Sequence, residues 1–176
     1  MLIGGELVIG VSSAPVYGEL AWAERGKGAW LDGRRLGVST VSSLDQAALS
    51  AGNLRSLAGG PRWADYGRLV TRVNRIRGYG DFLHYHLLAD GKIDAVVESD
   101  VNILDIAALV VIVREAGGRL GRTKNYEPVG DQGDELLHDV ASVAGLCRRV
   151  VAGFHEAADA APAKGDRHRP CLPAFG

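Results

Sequence analysis

Cysteine is nearly missing from this chain. Cys147 and Cys171 are the only two in 176 residues, too few and too badly placed for a disulfide framework or a zinc knuckle. They point to a reducing, cytoplasmic setting. An excess of charge of either sign is missing as well. The 20 basic side chains nearly cancel the 21 acidic ones, so no basic field exists to hold a phosphate backbone, and nucleic acid is not an expected partner. No apolar run approaches the ~18 residues that span a bilayer, so no membrane partner is expected either. The opening stretch, MLIGGELVIGVSSAP, has no basic n-region and carries Glu6 inside its apolar part, which is not the make-up of a signal peptide. No internal repeat is present. No Ser/His/Asp order with interpretable spacing appears, so nucleophilic catalysis has no support.

What is there is the balance of a globular protein: 47% hydrophobic and 23% charged residues. The first 53 residues read as β-rich. A strand is predicted at 7–12, and strands at 20–23 and 29–31 form a hairpin around Glu24-Arg25-Gly26-Lys27-Gly28, whose glycines supply positive φ. This Gly-Lys-Gly is a turn. It lacks the strand-then-helix context of a phosphate loop. After Asp32-Gly33 the chain returns as a strand at 34–38, and 47–52 is a further short strand. The strand at 7–12 needs a neighbour, and Leu7, Val8 and Ile9 are expected on an exposed or poorly paired surface, where apolar patches drive association.

From residue 54 the grammar changes. Trp63, Tyr66, Leu69, Val70 and Val73 recur at helical spacing and predict an amphipathic helix over 61–73. A strand follows at 74–78, then a helix at 82–90 capped by Asp81 and closed by Gly91. A buried strand at 93–98 leads through a turn at 99–102 into a helix at 105–116, whose stretch IAALVVIV is apolar almost all round and therefore buried between layers. Another strand is expected at 119–121. This β-α-β-α-β order predicts a largely parallel sheet with helices on its faces. Residues 134–151 are read as a helix, and 152–176 as a disordered tail rich in Pro, Gly and charge. The domain reading is thus an antiparallel hairpin region at 1–53, an α/β domain at 54–151 and a tail.

Ligands of open α/β sheets bind beyond the carboxyl ends of the strands. Glu98 ends a predicted strand there, and Asp105 opens the next helix, so both carboxylates can turn toward one crevice. Carboxylate oxygens suit a hard cation such as Mg²⁺. The alternative stays open that Asp105 only caps a helix and Glu98 only ends a strand in solvent. Gly78-Tyr79-Gly80-Asp81 stands before another helix, where amides and dipole favour an anion. The charge of Asp81 works against a phosphate, however, and suits a hydroxyl or ammonium group. His84 and His86 lie two apart on a helix and cannot share a metal.

Taken together these residues resemble the inositol-monophosphatase family. ERGKGAWLDGRRLGVS is similar to its RGKGA…NG…VS segment. GYGDFLHYHLLADGKIDAVVESDVNILDIAALVVIVREAGGRL is similar to its C-terminal signature, a glycine-rich substrate loop, a strand ending in Glu and a Trp-Asp-x-Ala-Ala helix closed by Glu-Ala-Gly-Gly. Asp after glycine in Tyr-Gly-Asp-Phe is typical of the bacterial histidinol-phosphate phosphatase branch. The resemblance implies an αβαβα sandwich, mostly parallel in its sheet, that cleaves phosphate monoesters with Mg²⁺. It implies a homo-oligomer, or a partner that supplies missing ligands. It assigns Asp105 to the metal, and Gly80, Asp81 and Glu98 to a small phosphorylated alcohol.

The departures from the pattern also set expectations. The family's Asp-Pro-Ile/Leu-Asp-Gly-Thr motif and its upstream glutamate have no counterpart here, so the chain is expected to represent the family's C-terminal half. No catalytic residue is retained, and a single metal aspartate cannot confine Mg²⁺ tightly. Leu104 replaces the tryptophan before the metal aspartate. The expected activity is hydrolysis of histidinol phosphate or inositol phosphate, absent in the chain alone. The alternative is a non-catalytic fold that binds a ligand or a partner.

Overall fold

The computed structural model describes residues 1–122 and 137–143. Two short strands, β1 (Leu2–Ile3) and β2 (Glu6–Leu7), pair with each other as a hairpin. Four more build an antiparallel sheet in sequence order: β3 (Ile9–Ala14), β4 (Glu19–Glu24), β5 (Gly28–Leu31) and β6 (Arg34–Arg35). The predicted hairpin around Gly26 and Gly28 is β4–β5. Its turn is tied down from a distance, because the Glu115 carboxylate accepts the N–H groups of both Gly26 and Gly28 at 2.9 Å. The strand predicted at 34–38 shrinks to two residues. Beyond it the backbone turns away to meet a helix end, where the Val38 N–H donates to the Ala116 carbonyl.

The remaining elements are β7 (Ala48–Gly52), α1 (Leu54–Gly59), α2 (Trp63–Val70), β8 (Arg75–Arg77), α3 (Leu83–Ala89), β9 (Ala95–Val101), α4 (Ile103–Glu115), β10 (Arg119–Arg122) and β11 (Leu137–Val143). Helix α1 had no periodic signal, and α2 is shorter than the 61–73 pattern. The five-stranded sheet runs β10-β11-β9-β7-β8. β7 pairs in parallel with β8 and β9, as the crossover helices require. β11 is antiparallel to both β9 and β10, so β8, β7, β9 and β10 all run one way and β11 alone is reversed, a mostly parallel sheet as expected.

β11 also corrects the helix read at 134–151. Its run LHDVASV mixes apolar and polar residues, and Leu137, Val140 and Ala141 fall at helical spacing, so periodicity alone does not reveal a strand. Here β9 and β10 offer ladder partners on both sides. The rest of that span and the tail at 152–176 lie outside the described residues.

Burial confirms the layers. β9 alternates: Ala95 and Val97 join a cluster with Leu57, Tyr66 and Leu69 of α1 and α2, while Val96 faces the cluster around α3 and α4. On its far side α4 packs against β3, β4 and β5. The described residues thus stack helix pair, mixed sheet, helix pair, antiparallel sheet. The all-apolar α4 is buried as its composition demands, with Val110, Ile112 and Val113 at 0% exposure. A Cβ on Gly10 of β3 would lie 2.2 Å from the Ala108 carbonyl oxygen of α4, so only glycine lets helix and sheet approach this closely. One core cluster joins Ala21, Ala29 and Leu31 of the first 53 residues to Leu88 and Val110 of the later ones.

Leu7, Val8 and Ile9 are half-buried rather than exposed, and Leu7 packs on the core. The exposed apolar side chains lie elsewhere, among them Leu2, Ile3 and Val11. On the open face of the antiparallel sheet Trp22 stacks on Trp30 at 5.9 Å. No helix among the described residues is long and apolar enough to cross a membrane.

Candidate functional site

A cavity of about 270 Å³ opens where β9 hands over to α4. Asp81, Glu98 and Asp105, three of the four candidate residues, line it together. Gly80 does not. Its φ of 69° and the 47° of Asp81 make two left-handed residues in succession, and this sharp bend delivers Asp81 to the rim. Asp81 therefore does not cap α3: Phe82 holds the cap position, with no side-chain cap bond. An Asp tolerates the left-handed region better than most side chains, which is where its sequence preference is spent.

The turn expected at 99–102 is also absent, because β9 continues to Val101. Asp100 interrupts it with a φ of 61°. That reversal breaks the strand's alternation, so Val101 returns to the α3–α4 core while Asp100 lines the cavity. Asp105 sits in the first turn of α4, not at its cap. Asn102 is the cap, accepting from the Leu104 N–H at 2.9 Å, and the Asp105 carboxylate reaches back to the Asn102 N–H at 3.3 Å. This is a capping box, so the bland reading of Asp105 as a helix-start residue is true. It is compatible with the other, because Asp105 is exposed and lines the cavity.

Glu98 is not a solvated strand end. It is buried to 7% exposure beneath a shell of donors. The Tyr85 hydroxyl donates to Oε2 at 2.8 Å, and His84 Nε2 meets the same oxygen at 3.0 Å. Burial, together with the Glu98 carboxylate, pushes the Tyr85 phenol well above its ordinary range, so it remains a donor at any physiological pH. On the other side a Cβ on Gly52 would come within 2.4 Å of Glu98 Oε1. Glycine at the end of β7 thus gives the carboxylate its seat. The ends of β7 and β9 are latched beside it. Asn53 Nδ2 donates to the Ser99 carbonyl at 2.7 Å, and the Ser99 hydroxyl donates to the Asn53 carbonyl at 2.9 Å.

Four carboxylates (Asp81, Glu98, Asp100, Asp105) therefore face one cavity, with Ile106 and Leu109 as apolar lining and no Lys or Arg among the lining residues. Such a site repels a bare anion and admits a phosphate only along with cations. The donors are hard oxygens, the kind Mg²⁺ takes. They fit in kind but not in number, since no three His, Cys, Asp or Glu among the described residues converge closely enough to hold a metal. As expected, His84 and His86 serve different places: His86 meets Ser12 Oγ at 2.8 Å and Glu19 at 3.3 Å. Sequence reasoning passed over Asp100 and Tyr85. Strand parity with Glu98 was a signal for Asp100, but Tyr85 carried none.

Known proteins resemble this chain in sequence and in fold. Residues 1–153 match the model of the inositol monophosphatase family. A histidinol-phosphatase of Mycobacterium tuberculosis is 43% identical over 125 residues, 68% of this chain and 48% of that protein. One from Streptomyces coelicolor is 39% identical over 151 residues, 77% of this chain and 54% of that protein. Among solved structures, an IMPase from Thermotoga maritima superposes with a TM-score of 0.71 at 30% identity, covering 88% of this chain and 58% of that one. The chain spans about half the length of the curated relatives it matches.

Proposed function

The chain belongs to the inositol monophosphatase family, and on that premise we propose that it serves a Mg²⁺-dependent phosphomonoesterase acting on a small phosphorylated alcohol. Histidinol phosphate is the first candidate substrate and inositol phosphate the second. The observation that carries this reading is the single cavity shared by Asp81, Glu98 and Asp105. Asp105 is the one ligand these residues offer to Mg²⁺, and Glu98 with the loop through Gly80 and Asp81 contacts the alcohol. The identity to two histidinol-phosphatases supports the first substrate. So does the negative rim, which suits an alcohol that also carries an ammonium group.

Mg²⁺, when bound, would neutralise phosphate charge and lower the pKa of an attacking water. The chain's own residues do the rest. The Tyr85 hydroxyl holds Glu98 as an oriented acceptor for a substrate hydroxyl or ammonium, and Ile106 and Leu109 exclude water from the cavity's inner wall. The lack of a three-donor metal cluster among the described residues favours a second reading for the chain alone. It would bind Mg²⁺ and the phosphorylated alcohol together without turning it over, and a homo-oligomer or partner would complete the ligand set.

Calorimetric titration of Mg²⁺ with and without histidinol phosphate tests the proposal. The expected result is that each tightens the other at least tenfold, and that Asp105→Asn removes the coupling. Independent binding of the two would overturn the function. Phosphate release, run alongside with histidinol phosphate and inositol phosphate, separates the readings. Clear turnover by the chain alone, abolished by Asp105→Asn, would overturn the partial-site reading and keep the phosphatase.

A further inference from the structure

The polar groups around Glu98 continue past it into the core. His84 is fully buried and sits behind the carboxylate with both ring nitrogens engaged. Nε2 lies 3.0 Å from Glu98 Oε2, and Nδ1 lies 3.3 Å from the hydroxyl of Ser50, itself at 0% exposure. Ser50 in turn accepts the Tyr79 backbone N–H at 3.2 Å. A continuous chain of polar contacts therefore runs from the exposed 78–81 loop, through β7 and α3, to Glu98 on β9.

Donor and acceptor rules orient this chain. A carboxylate only accepts and a backbone N–H only donates. Facing Glu98, the imidazole presents its N–H at Nε2, which leaves Nδ1 of the neutral ring as an acceptor. Ser50 then gives its hydroxyl proton to Nδ1 and uses a lone pair for Tyr79. Every link is satisfied, and every proton points toward Glu98. Tyr85 adds a second donor to the same oxygen, so Oε2 is saturated and Oε1, over Gly52, is the oxygen outside these bonds. Buried networks that are fully satisfied rigidify what they connect.

We propose that His84 is a positioning residue which, as the Nε2–H tautomer, couples the 78–81 loop through Ser50 to the Glu98 carboxylate. It holds two walls of the cavity in one register. The inference rests on the reading of Glu98 and this loop as the groups that meet the alcohol. It gives His84, which cannot share a metal with His86, a role without a metal.

The imidazole has two separable halves, and two amides imitate them. Asn places its amide oxygen near the position of Nδ1, while Gln places its amide nitrogen near that of Nε2. His84→Asn therefore keeps the acceptor for Ser50 and loses the donor to Glu98, and His84→Gln does the reverse. In the whole chain, long-range ¹H–¹⁵N correlation of the imidazole is expected to show His84 as a single neutral tautomer, protonated at Nε2. Amide hydrogen exchange at Tyr79 is expected to rise about tenfold in Ser50→Ala and in His84→Gln, the size of one net hydrogen bond. It should stay near the wild-type rate in His84→Asn. A merely space-filling imidazole would not distinguish the two amides. An Nδ1–H tautomer, or equal Tyr79 exchange in His84→Asn and His84→Gln, overturns the proposal. These readouts use neither metal nor turnover. They stand if phosphate release and Mg²⁺ coupling fail, and they fail on their own if only the relay is wrong. Should a variant not fold, the wild-type tautomer alone decides.

Discussion

Helix α4 is one rod in two environments. Its body, Ile106 to Val113, contains four side chains at 1% exposure or less, pressed between α3 and the antiparallel sheet. Its first turn, a few residues away, leaves Leu104 at 85% exposure and Asp105 open to a cavity ringed with carboxylates. Hydrophobic transfer settles the body, because such side chains have only one good place to go. The first turn is settled by a capping box and by the neighbours that other elements bring to it. The lesson is that buried packing and an open polar end divide along a single element, and substitutions should separate core stability from the proposed Mg²⁺ binding.

The sharpest break is at the body. Ile112→Ala is expected to cost about 2–5 kcal/mol, since it opens a cavity where nothing can collapse inward. Urea denaturation measures it, and a loss under ~1 kcal/mol would mean the helix is far less clamped than its burial indicates. Gly10→Ala comes next, at about 1–3 kcal/mol, because the added methyl must push the Ala108 backbone away. The same titration checks it.

Asp105→Asn reverses the pattern. Its stability cost should be only about 0.3–1 kcal/mol, the value of a negative group in a first helical turn, while its effect on Mg²⁺ coupling is the largest of the series. If stability fell as far as in Ile112→Ala, the distinction between body and first turn would be lost. The smallest effect contrasts two kinds of carboxylate. Burial raises the Asp90 carboxyl, but hydrogen bonds and charge from Arg34 and Lys92 outweigh it and hold it below the usual range. A depressed native pKa contributes stability that is present above the unfolded carboxylate range and is lost as pH falls through the native pKa. The stability difference between wild type and Asp90→Asn should therefore be seen at neutral pH and vanish in acid. A difference that grows in acid would reverse the sign.

Much of the fold could be read in advance from particular residues. Gly26 and Gly28 marked the β4–β5 turn, the IAALVVIV run declared a buried helix, and Gly91, with a φ of 68°, closed α3 as a helix-ending glycine should. The misreadings have local causes. Residues 137–143 read as helix because Leu137, Val140 and Ala141 fall at helical spacing, while the strand is decided by its ladder partners β9 and β10. Residues 99–102 were assigned to a turn because Ser, Asp and Asn favour turns, yet β11 pairs with β9 as far as Val101. Asp81, Glu98 and Asp105, which line one cavity, stand out by their position at strand and helix ends. Tyr85 and His84 were not found, because adjacent helical residues that reach one carboxylate on a distant strand leave no trace in spacing.

What the sequence determined by itself was the list of elements that must be buried and the glycines that must turn or yield. Those follow from hydrophobicity and backbone sterics, which act over a few residues. What the tertiary structure alone decided was the company each polar group keeps. Glu98 became a buried, doubly donated carboxylate, and Asp105 became part of a cavity rather than only a helix start. Hydrogen bonds and charges act across space between segments that the chain holds far apart in sequence, so their partners exist only once the layers have stacked.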